Sequence, residues 1–437
     1  MIRSPLLIVM CVGYFLVLLD VTVVNVALPA IGGTLDTGPA GLQWVVDGYA
    51  LALAGLLLVG GTVGDVYGHK QVVLTGLVVF GLASLGCGLA PGVGWLVGAR
   101  FVQGVGAALL LPGTLAIITD AFPDRTDQAR AIGVWAGVGS AALPAGPLLG
   151  GLLVDWLGWR AVFFLNVPIV LVAAVVAARL VEARPHTGDR RVDWLGAVLG
   201  TALLGTVTYA VIEAGAWLLI VAAVLLAAFV AVESAKADPM LPPKLFRRPT
   251  FSVANAAAGI MNLCSLGLLF LVTQYLQTVR HHSALAAGLD LLPLFLPLTV
   301  LAPLTGRVAG RIGPRWPMVA GLVVAGAGFA LLLTLTAGSS YWALLPALLL
   351  WGCGLGVLTP AVVAAAVGAA RERSGLASAV NNTARQAGGA LGIAAYGAVA
   401  GSAADARLFV SGMHVAGLVS VVLFLVAALS TALVRMN

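Results

Sequence analysis

The segment GGTVGDVYGHKQVVLTGLVVFG, residues 60–81, recurs as TGRVAGRIGPRWPMVAGLVVAG, residues 305–326. Eight positions are identical at an offset of 245 residues, and four of them are glycines. A second pair of segments, QGVGAALLLP at 103–112 and WGCGLGVLTP at 351–360, shares four residues at an offset of 248. Two similar offsets at distant places indicate that the chain arose by duplication of one unit.

The composition indicates that the chain is a membrane protein. Of the 437 residues, 61% are hydrophobic and only 9% are charged, and the mean hydropathy is +1.06. A soluble domain cannot cover so much apolar surface with so few charges, so we predict an all-α polytopic membrane protein. A helix needs roughly 20 apolar residues to cross a bilayer. Fourteen segments meet this length: 6–31, 42–64, 71–91, 93–119, 131–153, 160–180, 195–213, 216–232, 250–276, 285–306, 316–338, 342–368, 375–402 and 411–434.

The repeat and the span count together predict the domain organisation. Spans 1–6 and 9–14 form two six-helix bundles in the same orientation, at residues 1–181 and 250–437, and residues 182–249 add two inserted helices. Parallel six-span repeats are the plan of the major facilitator fold, in which substrate binds near the membrane midplane between the halves. Alternating access follows if the two bundles rock about that site.

The basic residues predict the orientation. If the N-terminus is cytoplasmic, 18 of the 23 Lys and Arg residues fall on the cytoplasmic side and 3 on the outer side. This bias places both termini in the cytoplasm. The net charge of +6 therefore reflects topology, and we expect no nucleic-acid partner.

The stretch GTVGDVYGHK (61–70) joins spans 2 and 3. Gly61 would let helices approach closely, and Gly68 would make a tight turn. Asp65 would cap a helix end or pair with cations, and Lys70 adds a positive charge. Such a loop would contribute to closing the cytoplasmic side.

Span 5 contains GVWAGVGSAALPAGPLLGG (133–151). Its small residues would allow close helix contact, and its prolines would bend the helix. The residues that define the pattern are Gly133, Gly146, Pro147, Gly150 and Gly151.

These two stretches, together with LDVTVVNVALP (19–29) and RFVQGVGAALLLPG (100–113), resemble the fourteen-span drug:proton antiporters of the major facilitator superfamily. The resemblance covers essentially the whole chain. It implies a bacterial cell-membrane exporter, and it gives Arg100 a part in proton transfer. The sequence departs from the family pattern at His69, where Arg is usual, and at Ala142, where glycine is usual.

Ionisable residues inside predicted spans are functional candidates, because charges in hydrocarbon are costly. Asp20, Asp47 and Arg100 reach similar depths in the outer half, so we expect them to share a cavity and to couple transport to protons. An Arg100 that approached Asp20 in one state and withdrew in the other would switch the affinity of Asp20 for protons. Glu213 and Asp290 lie near span ends, where an interfacial or helix-start role is the alternative.

We therefore predict a proton-coupled exporter of amphipathic, cationic drugs or antibiotics; export of an endogenous metabolite, amino acid or lipid is the alternative. The expected partners are a small-molecule substrate, protons and membrane lipids, with no cofactor or metal, and the protein is expected to be a monomer. No catalytic motif such as H-E-x-x-H or a phosphate-binding loop occurs, so an enzyme is not expected. The candidate substrate-binding residues are Asn25, Trp44, Tyr49, Gln103, Glu213, Asn262, Gln274, Tyr275, Asp290, Asn381 and Arg385.

Overall fold

The computed structural model describes residues 3–122, 124–181, 192–213, 215, 217–236 and 239–434, and in these residues the regular structure is helical. Short 3₁₀ turns occupy Pro243–Arg247 and Arg371–Arg373, and a π-helical turn occupies Tyr275–Val279. The α-helices are α1 (Arg3–Leu35), α2 (Pro39–Tyr67), α3 (His69–Gly88), α4 (Val93–Ala121), α5 (Arg125–Leu157), α6 (Arg160–Phe164), α7 (Asn166–Leu180), α8 (Trp194–Ile212), α9 (Leu218–Ala235), α10 (Pro249–Gln274), α11 (Ala284–Asp290), α12 (Leu292–Ile312), α13 (Arg315–Leu332), α14 (Tyr341–Ala369), α15 (Ser374–Ala400) and α16 (Ala406–Leu433).

These helices follow the predicted spans closely. Thirteen helical segments among the described residues are long and apolar enough to cross a membrane. The remaining predicted span is α15, which has 27 residues but is more polar than the others. Predicted span 10 is in fact two helices, α11 and α12, and predicted span 6 is interrupted at Leu165.

The helices pack as two similar groups. In the first group α2 and α3 both pack against α4, and α1 packs against α5. The second group repeats this pattern, because α12 and α13 both pack against α14 and α10 packs against α15. The inserted pair, α8 and α9, pack against each other outside both groups.

The repeated glycines occupy equivalent places in the two groups. A side chain at Gly76 would meet the carbonyl of Gly106, and one at Gly321 would meet the carbonyl of Gly354. Both contacts join the third and fourth helices of their group at the positions aligned by the sequence repeat. The turn glycines also match, since Gly68 has a φ of 91° and its counterpart Gly313 a φ of 82°. Only glycine adopts this backbone conformation readily.

The two groups contact each other along α2 and α15, and also at the end opposite the one where α1 begins, which we call the distal side. The carboxylate of Asp155 on α5 accepts hydrogen bonds from the backbone N–H groups of Ala284 (3.1 Å) and Leu285 (3.0 Å) at the start of α11. Gln277 donates to the carbonyl of Val26 on α1 at 2.9 Å. These contacts close the distal side.

The inserted helix α8 lies across the seam between the groups and contacts both α2 and α15. Leu204 of α8 packs in one small cluster with Leu51 of α2 and Ala390 of α15. Helix α9 presents an apolar outer face that includes Ile220 and Val224. In a membrane, lipid tails would solvate this face.

Candidate functional site

The structure brings Asp20 of α1 and Arg100 of α4 together as a buried ion pair. Arg100 Nη1 donates to the Asp20 carboxylate, and both side chains are 0% exposed. The two residues meet because each lies on the face of its helix that packs against the other helix. An ion pair without water is favourable only when the remaining polar atoms are also satisfied.

Gln103, one turn after Arg100, forms hydrogen bonds with both members of this ion pair. Its side-chain oxygen accepts from Arg100 Nη1 at 2.7 Å, and its Nε2 donates to the other Asp20 oxygen at 3.0 Å. Its Nε2 also donates to Ser84 Oγ on α3 at 2.8 Å, and Asn166 of α7 donates to the same oxygen at 3.4 Å. The polar network therefore links four helices of the first group.

Arg100 is also held by its surroundings. Its Nε donates to the carbonyl of Val45 at 3.0 Å. Its guanidinium carbon lies 4.4 Å from the centre of the Tyr49 ring and 5.9 Å from that of Phe163. Nη2 has no hydrogen-bond partner among the described residues. Aromatic faces therefore position the Arg100 guanidinium. One of its N–H donors stays unsatisfied, so the Asp20 carboxylate is what compensates its charge.

The second group contains an uncharged version of the same cluster. At the repeat offsets, Ser265 stands where Asp20 stands, Leu348 where Arg100 stands, and Trp351 where Gln103 stands. Trp351 Nε1 donates to Ser265 Oγ at 3.2 Å, so the inter-helix hydrogen bond is kept. The equivalent helix contact of the second group is therefore made without a charge pair.

Asp47 does not join the Asp20 cluster. It is 0% exposed, and neither of its oxygens has a hydrogen-bond partner among the described residues. It lies one turn from Gln43, whose side chain packs against Gly397 of α15. The expectation that Asp47 shares one cavity with Asp20 and Arg100 finds no hydrogen bond or ion pair to support it.

The two remaining acids are engaged near helix ends. Glu213 ends α8 and accepts a hydrogen bond from Trp44 Nε1 at 3.2 Å. Asp290 ends the short α11 and lies 2.7 Å from His282 Nδ1. The expectation that Asp290 begins a membrane span was wrong, because the span is broken after this residue.

The other candidate binding residues fall into two sets. Tyr49 and Tyr275 are buried, and their hydroxyls donate to the carbonyls of Val17 (3.1 Å) and Thr336 (2.7 Å), so they hold helices together. Gln274 is also buried, and Asn262 is partly exposed. The second set keeps unsatisfied polar atoms among the described residues: Asn25 Oδ1, Asn381 Oδ1 and Arg385 Nε.

The expected close-contact glycines are only partly in contact. A side chain at Gly146, Gly150 or Gly151 would collide with α1 or α11. Gly133 has nothing within 4 Å, and Gly61 makes only an ordinary contact with Pro112 at 3.7 Å; the tight position beside it is Gly60. Pro147 packs its carbonyl where a side chain at Gly288 would be. Asp65 lies 3.5 Å from His69 Nε2, and Lys70 follows in the first turn of α3.

Sequence reasoning missed Ser84 and the carbonyl of Val45 as partners in the buried network. It also missed an aromatic pair, in which the rings of Tyr14 and Trp135 stack with centres 3.8 Å apart and planes inclined by 12°. These residues are 121 positions apart, and no spacing rule connects them.

A chain of membrane-spanning helices in two duplicated groups, with a buried ion pair inside the first group, defines a membrane transporter rather than an enzyme. Sequence comparison matches residues 10–393, and again 257–436, to the family described as the Major Facilitator Superfamily. The chain belongs to the Major Facilitator Superfamily.

Three relatives show the same kinship over most of their length. The chain is 38% identical to the multidrug resistance protein Stp of Mycobacterium tuberculosis (strain CDC 1551 / Oshkosh), over 89% of this chain and 74% of the relative. It is 38% identical to the puromycin resistance protein pur8 of Streptomyces alboniger, over 92% and 82%. It is 36% identical to the tetracenomycin C resistance and export protein of Streptomyces glaucescens, over 91% and 76%.

Solved structures share the fold at low sequence identity. A bacterial homolog of the human lysosomal transporter Spinster, in an inward-facing and unoccupied conformation, superposes with a TM-score of 0.70 at 19% identity. The match covers 98% of this chain and 96% of that one. This likeness supports the fold of the whole chain.

Proposed function

We propose that this protein exports antibiotics and other amphipathic drugs across a bacterial cell membrane in exchange for protons. The relatives support the drug class, because three proteins 36–38% identical to this chain are named for drug or antibiotic resistance. The buried Asp20–Arg100 pair carries the proposal of proton coupling. The positive-inside bias supports a cytoplasmic location for both termini, so the distal side faces outward and is closed in this structure.

The Asp20 network gives proton exchange a physical basis. A proton on Asp20 would remove the charge that holds Arg100, and Arg100 already has one donor unsatisfied among the described residues. The four-helix network of Asp20, Arg100, Gln103, Ser84 and Asn166 would then relax. Gain and loss of one proton would thus change how α1 packs against α4, the type of change that alternating access requires.

Asp47 is proposed as a second site of proton exchange. A buried carboxylate without a hydrogen-bond partner is costly. Asp47 lies on α2, which packs against α15 of the other group. The expected positive charge on the substrate finds less support, because the acids that could attract a cation are engaged or sealed in this state.

The test is efflux driven by an imposed pH gradient. Inverted vesicles containing the wild-type protein should accumulate drugs from a panel when the lumen is acid. Asp20→Asn should abolish this accumulation, and it should still bind the same drugs. The network has a matched control in Ser265→Ala, which removes the neutral hydrogen bond of the second group and should leave coupling intact.

Two results would overturn the proposal. One is full pH-driven accumulation by Asp20→Asn at equal protein level. The other is a wild-type protein that moves no member of the panel but moves an amino acid, a lipid or another metabolite under the same gradient.

A further inference from the structure

A second cluster lies where the two groups face each other, away from the Asp20 network. Tyr14 of α1 stacks on Trp135 of α5, and both side chains are partly exposed. The ring of Tyr14 occupies the place that a side chain at Gly139 would fill, one helical turn beyond Trp135. The glycine therefore lets two aromatic rings form a flat slab on the inner wall of the first group.

Arg385 of α15 belongs to the second group and is near enough to Tyr14 for its positive charge to act on the Tyr14 side chain. The three residues also lie at similar depth, because Tyr14 and Arg385 are each about 17 Å along their helices and Trp135 is about 15 Å along its own, at 1.5 Å per residue. This depth is about a third of the way along α1 and α5, counted from the side where α1 begins.

Arg385 lacks a counter-ion among the described residues. No carboxylate pairs with it there, and its Nε has no hydrogen-bond partner. A guanidinium inside a membrane protein is costly unless a partner or water compensates its charge. Arg100, the other arginine inside the spans, is neutralised by Asp20. Arg385 has no such negative partner among the described residues, and a ligand could supply one.

The neighbouring polar atoms are mostly donors. Trp135 Nε1 is also without a hydrogen-bond partner among the described residues. One turn before Arg385, Asn381 donates its amide to Asn255 at 3.2 Å and leaves its oxygen unsatisfied. Two unsatisfied donors and a positive charge beside a flat aromatic wall favour a ligand that brings acceptor oxygens and a ring.

A cation is a poor fit here although aromatic faces attract cations. Arg385 would repel it. The acids that could offset this repulsion are elsewhere: Asp20 is paired with Arg100, Asp290 with His282, and Glu213 accepts from Trp44. Asp47 is fully buried between helices.

We propose that Tyr14, Trp135 and Arg385 form a binding site for a planar aromatic compound that carries an anionic oxygen group, such as a carboxylate. The ring stacks on the Tyr14–Trp135 slab, and the anionic group receives paired hydrogen bonds from the Arg385 guanidinium. Because one wall of the site comes from each group, the ligand binds only while these walls face each other. That this ligand is exported rests on the proposed function. The binding site itself is argued from the residues that form it.

Binding of three probes with one ring system tests the charge preference directly. Full-length wild-type protein in lipid nanodiscs at pH 7.5 is titrated with 9-anthracenecarboxylate, 9-anthracenemethanol and 9-(aminomethyl)anthracene. The anion should bind about tenfold more tightly than the cation, as expected for hydrogen bonds to a charged group, and the neutral alcohol should lie between them. Equal or tighter binding of the cation would overturn the inference without any mutation.

Variants then assign the preference to residues. Arg385→Gln should weaken anion binding about tenfold and leave the neutral probe nearly unchanged, whereas Trp135→Leu should weaken all three probes. Arg407→Gln, an exposed arginine at the start of α16, is the matched control and should bind as wild type does. Unchanged anion affinity in a folded Arg385→Gln protein would overturn the assignment; the wild-type charge series decides the question if that variant does not fold.

Transport separates this inference from the proposed function. An anion leaving in exchange for one entering proton moves two charges per cycle, and each charge gains about 2.3 kcal/mol per 100 mV. Anion efflux from proteoliposomes should therefore rise when a potential, negative inside, is added to the pH gradient. Anion binding without pH-driven efflux would support the site and reject proton-coupled export. Proton-driven efflux that prefers the cation would support export and reject the site.

Discussion

Arg100 and Asp20 stabilise each other only while both are charged and both remain buried. The side chains have no exposed surface, so neither can turn to water when its partner is lost. A buried ion pair contributes little net stability compared with an apolar pair, but a single unpaired charge left behind is strongly destabilising. The Trp351–Ser265 contact shows that this fold accepts an uncharged version at the equivalent place.

We therefore predict that Arg100→Leu alone destabilises the protein by about 3–5 kcal/mol, because it leaves the Asp20 carboxylate unpaired. The double variant Asp20→Ser with Arg100→Leu copies the second group at two of the three equivalent positions and should recover most of that loss. Thermal unfolding of purified protein in detergent measures both. An Arg100→Leu protein as stable as wild type would contradict this prediction.

Asp193, Glu233 and Lys236 form a charged cluster, here called the anchor, at adjacent ends of the inserted helices α8 and α9. Asp193 caps α8 by accepting from the N–H of Gly196 at 2.8 Å, and it pairs with Lys236 at the end of α9. Lys236 also lies 3.3 Å from Glu233, whose other oxygen accepts from the N–H of Leu241 at 2.7 Å. The anchor ties α8, α9 and the following linker together at the side where α1 begins.

The anchor should depend on pH in one direction. Burial raises the pKa of Asp193, but hydrogen bonds from Lys236 and Gly196 outweigh this and hold the pKa below its ordinary value. A carboxyl whose pKa is lowered by folding stabilises the folded state above its unfolded pKa of about 3.9 and loses that contribution as pH falls through the folded value. The pKa of Lys236 is raised, so its contribution is lost only in strong alkali.

Asp193→Asn is the sharpest test of this anchor, since asparagine caps a helix as well as aspartate does and removes only the charge. The variant should unfold at a lower temperature than wild type at pH 7. The difference should stay constant down to about pH 4 and should shrink below it, as the pH falls towards the lowered pKa of the folded carboxyl. A difference that stayed constant below this pH as well would mean that the cap geometry, not the ion pair, stabilises the anchor.

At the scale of the whole molecule, the sequence predicts architecture well because hydropathy and duplication act over long stretches. The lengths of the apolar segments predict fourteen spans. Helix α15 is one of them, although polar residues such as Asn381 and Arg385 lower its hydropathy below that of the thirteen other spans. The Asp20–Arg100 pair follows from one acid and one base at similar depth. Ser84, the Val45 carbonyl and the Tyr14–Trp135 slab do not, because they depend on how each helix is rotated about its axis.

The distal closure is the other feature that only the assembled structure shows. Asp155 binds the start of α11, Gln277 binds the backbone of α1, and Gly288 packs directly against the carbonyl of Pro147. Each contact joins the first group to the second, so they must break together when the distal side opens. Gly288 is the tightest of these, because any side chain there meets backbone and not a flexible side chain.

Gly288→Val should therefore act as a wedge that favours the distal-open state. A single cysteine at Gln277, introduced in a background without Cys11, Cys87, Cys264 and Cys353, reports opening through its reaction with a membrane-impermeant maleimide added outside intact cells. The wedge should increase the labelling rate severalfold, because the added branched side chain cannot fit against the Pro147 carbonyl. Gly137→Val is the matched control, since Gly137 has nothing within 4 Å, and its labelling should equal that of the parent. If the wedge leaves labelling unchanged while transport continues, the α5–α11 contact does not hold the distal side closed.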